Sequence, residues 1–542
     1  GESLSENPRA YYGKLDGKEE TDLLWENDWK QINTLLMGLT DFNESLRSLK
    51  PNIDDLVVIS GLVIMADWIA SNTDYFPLFT DPSQENEWTE NRIIEGCRKI
   101  NLPPAWHSQE GILNAEDFAA RFHFLPNPMQ EKVIETANSL KEPGLLIIEA
   151  EMGTGKTEAA LAAANIFAEK FGQGGLYFGL PTQATANGIF PRILDWADQE
   201  TSEASLSVKL AHSKAGLNSD YQELISSNSV VINKDEGVSN RLVVNEWMSG
   251  RKRALLSDFV IGTIDQLIMM GANSKHAALR HLGAAGKVVI LDELHSFDSY
   301  TSEFIDRTLS WLGAYQVPVI LLSATLASGR RKEMLSAYAL GRMRIQQFGT
   351  DHSPIFSEQE NNGYPRITWF DGEKIHSDSV NQETTKKVSF EFLDDDSEES
   401  ILHILKESLS HGGSAGIIAN YVSLSQSLYE KVKDAFPEAE VVLFHSRFTD
   451  EDRARIESEV LDLVGKKSTR SSKDKVIIIG TQVIEQSLDI DFDVMITQTA
   501  PIDLIFQRIG RLHRHQFRPR PKKLHARIRR LDCRLSRRIR NH

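Results

Sequence analysis

Cysteine is nearly absent, since 542 residues hold only Cys97 and Cys533. Two cysteines exclude a disulfide framework and a four-cysteine zinc site, and they make a reducing, cytoplasmic setting the expected location. Long apolar runs are missing too. The longest, at 56–66, is interrupted by Asp67 and falls short of the ~20 residues a membrane-spanning helix needs, so it reads as a buried helix and implies no membrane. Nothing at the start pairs a charged segment with an apolar core, and there is no initiator Met, so Gly1 is expected to be a tag scar or an internal start. Histidine does not occur before His107. Positive charge is scarce over most of the chain, with 60 Lys and Arg against 77 Asp and Glu. Fourteen of those basic residues and one acid fall between Arg508 and His542, so that stretch carries +13 and the remainder −30. An acidic balance therefore does not exclude nucleic acid, because the cationic charge is concentrated in one place.

The rest of the composition is that of a globular protein, with 41% hydrophobic and 25% charged residues. The length implies about three domains. Residues 1 to about 120 read as helical, with Leu23, Leu24, Trp25, Trp29, Ile32, Leu35 and Leu36 at helical spacing. From about 125 the texture changes. Short apolar runs rich in Val, Ile and Leu at 145–150, 176–180, 259–262, 288–291 and 319–322 alternate with helical patterns, then a polar stretch intervenes around 351–363. A second series follows at 415–419, 441–444, 476–479 and 494–497. Apolar strands alternating with helices predict parallel sheets covered on both faces. The segments around 394–400 and 466–475 read as solvated loops.

Three elements carry chemistry. The strand at 145–150 runs into Ala150-Glu-Met-Gly-Thr-Gly-Lys-Thr157 and then an Ala-rich helix. This is a phosphate-binding loop: Gly153, Thr154 and Gly155 bring backbone N–H groups to the phosphates, Lys156 reaches the β/γ oxygens, and Thr157 ligates Mg²⁺. Ala150 stands where the strict pattern has glycine. The second element is the strand 288–291 ending in Asp292-Glu-Leu-His295. It delivers two carboxylates to the edge of an open α/β sheet, Asp292 for Mg²⁺ and Glu293 for the attacking water. His295 reads equally as a residue coupling hydrolysis to a neighbouring motif and as a structural histidine. The third is Gln507-Arg-Ile-Gly-Arg-Leu-His-Arg514 on the second unit. Arg511 and Arg514 are candidates to close over the γ-phosphate, with Gln507 beside them.

Together with Pro128-Met-Gln130, Leu180-Pro-Thr-Gln183, Ile261-Gly-Thr-Ile-Asp-Gln266, Ser323-Ala-Thr325 and Gly480-Thr481, these elements resemble a superfamily 2 helicase core. Within it, the stretches Trp247 to Leu267, Leu291 to Tyr300, Phe444-His-Ser446, Thr481 to Asp489 and Arg511-Leu-His-Arg-His515 resemble the CRISPR-associated helicase-nuclease of type I interference. The resemblance covers about residues 55–520. It implies two tandem RecA-like parallel-sheet domains, at 121–350 and 386–520, joined by a linker at 351–385 and preceded by a helical N-terminal remnant at 1–120. It also implies ATP and Mg²⁺ as cofactors, 3′→5′ movement on single-stranded DNA, and loading by a Cascade-type CRISPR surveillance complex. Gln130 becomes a nucleotide contact, Thr182, Gln183, Thr263 and Thr481 become contacts to the DNA backbone, and Ser323 and Thr325 become coupling residues. Hydroxyls and amides suit a motor that must grip any sequence. Thr and Ser also cap helices and turns, which is the competing role.

Two departures qualify the resemblance. Residues 61–72 are similar to the last helix of a histidine-aspartate nuclease domain, in which Asp67 would be a metal ligand. Such a site needs several upstream histidines, and there are none, so no nuclease centre is expected from this chain alone. Beyond Leu524 the strand-helix texture is lost, and 521–542 reads either as a nucleic-acid-binding arm or as a truncated or out-of-frame, non-native end. Two other functions fit the residues: a superfamily 2 motor acting on RNA or repair intermediates, and a catalytically weak recruitment module.

Overall fold

The computed structural model describes residues 31, 51–77, 90–102, 105–108, 114–199, 206–212, 215–218, 220–225, 242–245, 247–250, 252–272, 277–294, 297, 299–343, 363–380, 388–393, 397–466, 468–485, 488–515, 520–521 and 527–531. The helical pattern at 23–36 and His295 therefore lie outside the described residues, Gln31 excepted. Contacts divide the chain into Gly1–Leu56 and Val57–His542, and the second unit holds both sheets.

Among the described residues helices come first: α1 (Ile53–Ala70), α2 (Glu90–Ile100), α3 (Ala115–Phe122) and α4 (Pro128–Ser139). The apolar run at 56–66, read as a buried helix, does form a helix, but Leu56, Ile59, Leu62 and Val63 on it are exposed. The α1 residue Gly61 lies against Ala278 and Leu282, and near the end of α1 Met65 and Ile69 pack with Trp247 and Met248. Among the described residues no helix is long and apolar enough to cross a membrane.

The first sheet has nine strands. In chain order its elements are β1 (Leu145–Glu149), α5 (Lys156–Phe171), β2 (Leu176–Leu180), α6 (Gln183–Gln199), β3 (Leu206–Ala211), β4 (Leu242–Val243), β5 (Phe259–Thr263), α7 (Ile264–Ile268), α8 (Ala277–Ala285), β6 (Val288–Leu291), α9 (Ser299–Ala314), β7 (Val319–Ser323), α10 (Ser328–Arg342), β8 (Arg366–Phe370) and β9 (Ile375–Ser379). The order across the sheet is β4-β3-β5-β2-β6-β7-β1-β8-β9. Strands β1 to β7 are mutually parallel, and β8 and β9 add an antiparallel hairpin beside β1. The hairpin lies inside the stretch expected to be a linker. Its side chains are mixed, with Arg366, Thr368 and His376 among apolar residues, and so carry no continuous apolar signal.

Each apolar strand serves two cores. In β1, Leu146 and Ile148 pack with Val133, Phe167 and Phe190 from one layer of helices, while Leu145 and Ile147 pack with Leu309 and Met334 from the other. This two-sided burial is why the strands read as unbroken apolar runs.

The second sheet is six-stranded and parallel, in the order β10-β15-β14-β11-β13-β12. Its elements are β10 (Ser389–Leu393), α11 (Glu398–Ser408), β11 (Gly413–Ile418), α12 (Val422–Ala435), β12 (Glu440–Phe444), α13 (Asp450–Val464), β13 (Lys475–Gly480), β14 (Val494–Gln498), α14 (Ile502–Ile509) and β15 (Arg527–Leu531). The strand β15 falls in the basic stretch where strand-helix texture was expected to be lost. It runs between β10 and β14, with Arg527 opposite Ser389 and Val494.

Helices α9 and α10 cross through glycine. A Cβ at Gly341 would collide with the Ser310 carbonyl, and one at Gly313 with that of Tyr338, whereas Gly329, also on α10, faces open space. Gly341→Ala should therefore destabilise the protein by about 1–3 kcal/mol through overpacking. Gly329→Ala should stabilise it by roughly 0.5–1 kcal/mol through helix propensity. Urea unfolding of both variants checks this, and equal shifts would contradict the close crossing.

Candidate active site

The strand β1 ends at Glu149, and Ala150 leaves the sheet donating its N–H to the Ser323 carbonyl at 3.2 Å. Ala150 is fully buried and its φ is not in the left-handed region, so this position does not need glycine. Gly153 (φ +82°) and Gly155 (φ +79°) do need it. A Cβ at Gly155 would also meet the Gln130 amide nitrogen. Lys156, the first residue of α5, is buried, and its Nζ donates to the carbonyls of Ala150 at 2.6 Å and Glu151 at 3.1 Å. Burial lowers its pKa, and the carboxylates of Glu293 and Asp292 oppose that shift.

Two residues expected to contact the nucleotide hold the loop by hydrogen bonds. Gln130 is fully buried, donating from Nε2 to Gly155 O at 3.0 Å and accepting at Oε1 from the Asn127 N–H at 2.9 Å. The Thr154 hydroxyl donates to Glu151 O at 2.8 Å, and Asn127 Nδ2 donates to Thr154 O at 2.8 Å. Asn127 was missed in the sequence, although Asn127-Pro-Met-Gln130 has the spacing of a helix capping box.

Asp292 follows β6, donating its N–H to Gly179 O at 2.9 Å and accepting at Oδ1 from the Glu293 N–H at 2.8 Å. Glu293 has φ +56°, a left-handed backbone that a non-glycine residue adopts under strain. Burial, then the Glu293 carboxylate, pushes Asp292 up to about 7, against the pull of Lys156. Two carboxylates crowded in this way, with the Thr157 hydroxyl as a further oxygen donor at the start of α5, fit a hard divalent cation.

The other motif residues of the first sheet lie at the same strand ends. Thr182 caps α6 by exchanging hydrogen bonds with Thr185, the Thr185 N–H donating to Thr182 Oγ1 at 3.2 Å. Gln183, half-buried, begins that helix. Thr263 begins α7 without a capping bond from its side chain. The Ser323 hydroxyl donates to Thr325 O at 2.8 Å, closing the turn after β7. On the second sheet, Thr481 ends β13, donating its N–H to Phe444 O at 3.2 Å, again without a side-chain cap.

Helix α14 carries the arginine element. Arg508 is fully buried and donates from Nε to Glu485 Oε1 at 2.9 Å and from Nη1 to the Gln498 carbonyl at 2.9 Å, anchoring the helix. Arg511 donates from Nη2 to Glu485 O at 2.9 Å. Burial, then the neighbouring Arg514, pushes its pKa down to about 9, opposed by Glu293. Arg514 pairs with Asp489 at 2.7 Å and is close enough to Lys156 to depress its pKa. Gln507 is buried in the last turn of α14. A Cβ at Gly510 would sit 3.2 Å from the Met152 side chain, so this element lies directly against the phosphate loop. The structure thus brings Lys156, Asp292, Glu293, Arg511 and Arg514 to one place from both sheets. Glu485 and Asp489, which hold the arginines, carried no sequence signal beyond their place in the Thr481 stretch.

Comparison with known proteins matches these regions in order. The family model for the Cas3 HD domain matches residues 3–76, that for DEAD/DEAH box helicases 127–333, and that for the C-terminal part of the CRISPR-associated nuclease/helicase Cas3 411–517. The Cas3 nuclease/helicase of Streptococcus thermophilus is 42% identical over 95% of this chain and 55% of its own length. The Cas3 endonuclease/helicase of Thermus thermophilus is 35% identical over 87% and 53%. Among solved structures, T. fusca Cas3 aligns with TM-score 0.79 at 30% identity over 97% of this chain and 59% of that one. Its AMPPNP complex aligns with TM-score 0.74 at 29% identity, covering 88% and 55%. A chain of a CRISPR RNA-guided surveillance complex, pre-nicking, aligns with TM-score 0.66 at 27% identity, covering 97% and 56%. The chain therefore spans about half the length of the curated relatives it matches. On these matches the chain belongs to the Cas3 helicase-nuclease family.

Proposed function

We propose that this chain is the motor of a CRISPR interference helicase-nuclease, an ATPase stimulated by single-stranded DNA that moves 3′→5′. The observation that carries this reading is the meeting of a phosphate loop, a strand-end carboxylate pair and two arginines from the second sheet at one site. Lys156 and the loop N–H groups hold the β- and γ-phosphates of ATP. Thr157 and Asp292 hold Mg²⁺, which supplies positive charge against those phosphates. Glu293 orients the water that attacks the γ-phosphorus, and Arg511 and Arg514 neutralise the charge that develops there. Gln507 lies alongside them. Thr182, Gln183, Thr263 and Thr481 grip the DNA backbone, while Ser323, Thr325 and His295 link hydrolysis to movement. The hydroxyls of Thr263 and Thr481, which cap no helix, support the DNA role more directly than that of Thr182, which does.

Similarity to a chain of a surveillance complex supports docking on a Cascade-type partner. A cytoplasmic setting is proposed from the scarcity of cysteine. The match of residues 3–76 to the Cas3 HD domain supports a nuclease-derived N-terminal region that includes Asp67. The lack of histidine before His107 supports the reading that this chain alone does not assemble the nuclease metal centre.

Turnover of ATP should rise on adding single-stranded DNA and vanish in Lys156→Ala. Arg514→Ala should slow it by about 10³-fold while sparing ATP binding. Turnover surviving Lys156→Ala would overturn the site, and stimulation by RNA alone would favour the RNA-motor reading. Incubated with Ni²⁺, Co²⁺ or Mn²⁺, the chain should leave single-stranded DNA intact; degradation would contradict the missing metal centre.

A further inference from the structure

We propose that Glu149 and Arg331 are a positioning pair that transmits the state of the phosphate loop to the Ser323–Ala324–Thr325 turn, an inference that rests on the ATPase reading above. Glu149 is the last residue of β1, whose other four are all apolar. Its carboxylate receives a two-pronged fork from Arg331 on α10, Nε to Oε2 at 2.6 Å and Nη2 to Oε1 at 3.2 Å. Both residues are buried, at 4% and 8% exposure, and 182 positions separate them.

On one side the pair touches the loop entry. Glu149 immediately precedes Ala150, whose carbonyl accepts the Lys156 ammonium. Lys156 Nζ uses two of its three N–H donors on the carbonyls of Ala150 and Glu151, so a phosphate oxygen taken by the third acts on the ammonium that holds the entry, one residue from Glu149. On the other side the pair holds the turn. Arg331 Nη2 also donates to Leu326 O at 3.2 Å, just past Thr325. Glu149 and Ser323 are register partners in β1 and β7, and the Tyr364 hydroxyl donates to Ala324 O at 2.8 Å. One guanidinium therefore bonds the end of the loop strand and the exit of the turn together. Planar bidentate geometry makes this link stiff, in a way a lysine cannot reproduce. Stability alone does not call for it, because an apolar pair of similar volume generally fills such a site as well or better. Neither residue belongs to a motif that the sequence reading singled out.

The test is hydrogen exchange of the 323–327 amides in the full chain, with and without a non-hydrolysable ATP analogue. Wild-type protein should show altered protection of the turn when the analogue binds. In Glu149→Leu combined with Arg331→Met, the analogue should bind within about twofold of wild type while the turn response is lost, and stimulation of turnover by single-stranded DNA should fall about fivefold or more. A double variant whose turn responds as wild type does would overturn the proposal, as would a wild-type turn that ignores bound analogue. Should the double variant fail to fold, Arg331→Lys decides: a reduced response is expected, and a full one overturns the proposal. Failure of the wild type to bind the analogue at all would instead overturn the ATPase reading, and the pair with it.

Discussion

Opposed charge at the carboxyl edge of the first sheet is the constraint on which the rest depends. Asp292 and Glu293 are adjacent carboxylates at the end of a buried strand, and Asp292 is driven up to about 7 by burial and by its neighbour. Such a pair is tolerable only where positive charge faces it. Lys156 supplies part of that charge from the phosphate loop, and Arg511 and Arg514 supply more from the second sheet. The arginines are held in turn by Glu485 and Asp489, and the helix that precedes them is anchored by the buried Arg508. Residues of both sheets thus contribute to the site.

This local balance makes an acidic chain compatible with the two polyanionic ligands of the proposed function. The net charge of −17 is a sum over the surface, whereas phosphate responds to the few cations and N–H groups aimed at it. In the proposed function, gripping of the DNA backbone through Thr263 and Thr481 would add contact without adding charge.

Much of the fold was legible because two-sided burial writes itself into the sequence. All nine strands read from apolar runs exist, displaced by at most two residues at either end. The hairpin β8–β9 was hidden by its polar side chains, and β15 by its arginines, since both join sheets at positions that no continuous apolar run announces. At the site, Gly153 and Gly155 were legible because left-handed backbone demands glycine. The loop-holding roles of Gln130 and Thr154 were not, because a motif gives residue type and spacing but not which way an amide or hydroxyl points. Contacts between distant positions, such as Arg508 with Glu485 and Arg331 with Glu149, have no local signature at all.

The central claim is that arginines from the second sheet neutralise charge in the hydrolytic transition state. Binding of ADP with aluminium fluoride, which mimics the transferring phosphoryl group, tests it most directly when titrated calorimetrically into wild type and Arg511→Ala. The prediction is that both bind ATP analogue alike while Arg511→Ala loses about 10³-fold in affinity for the aluminium fluoride complex. Equal affinity of the two proteins for that complex would contradict it.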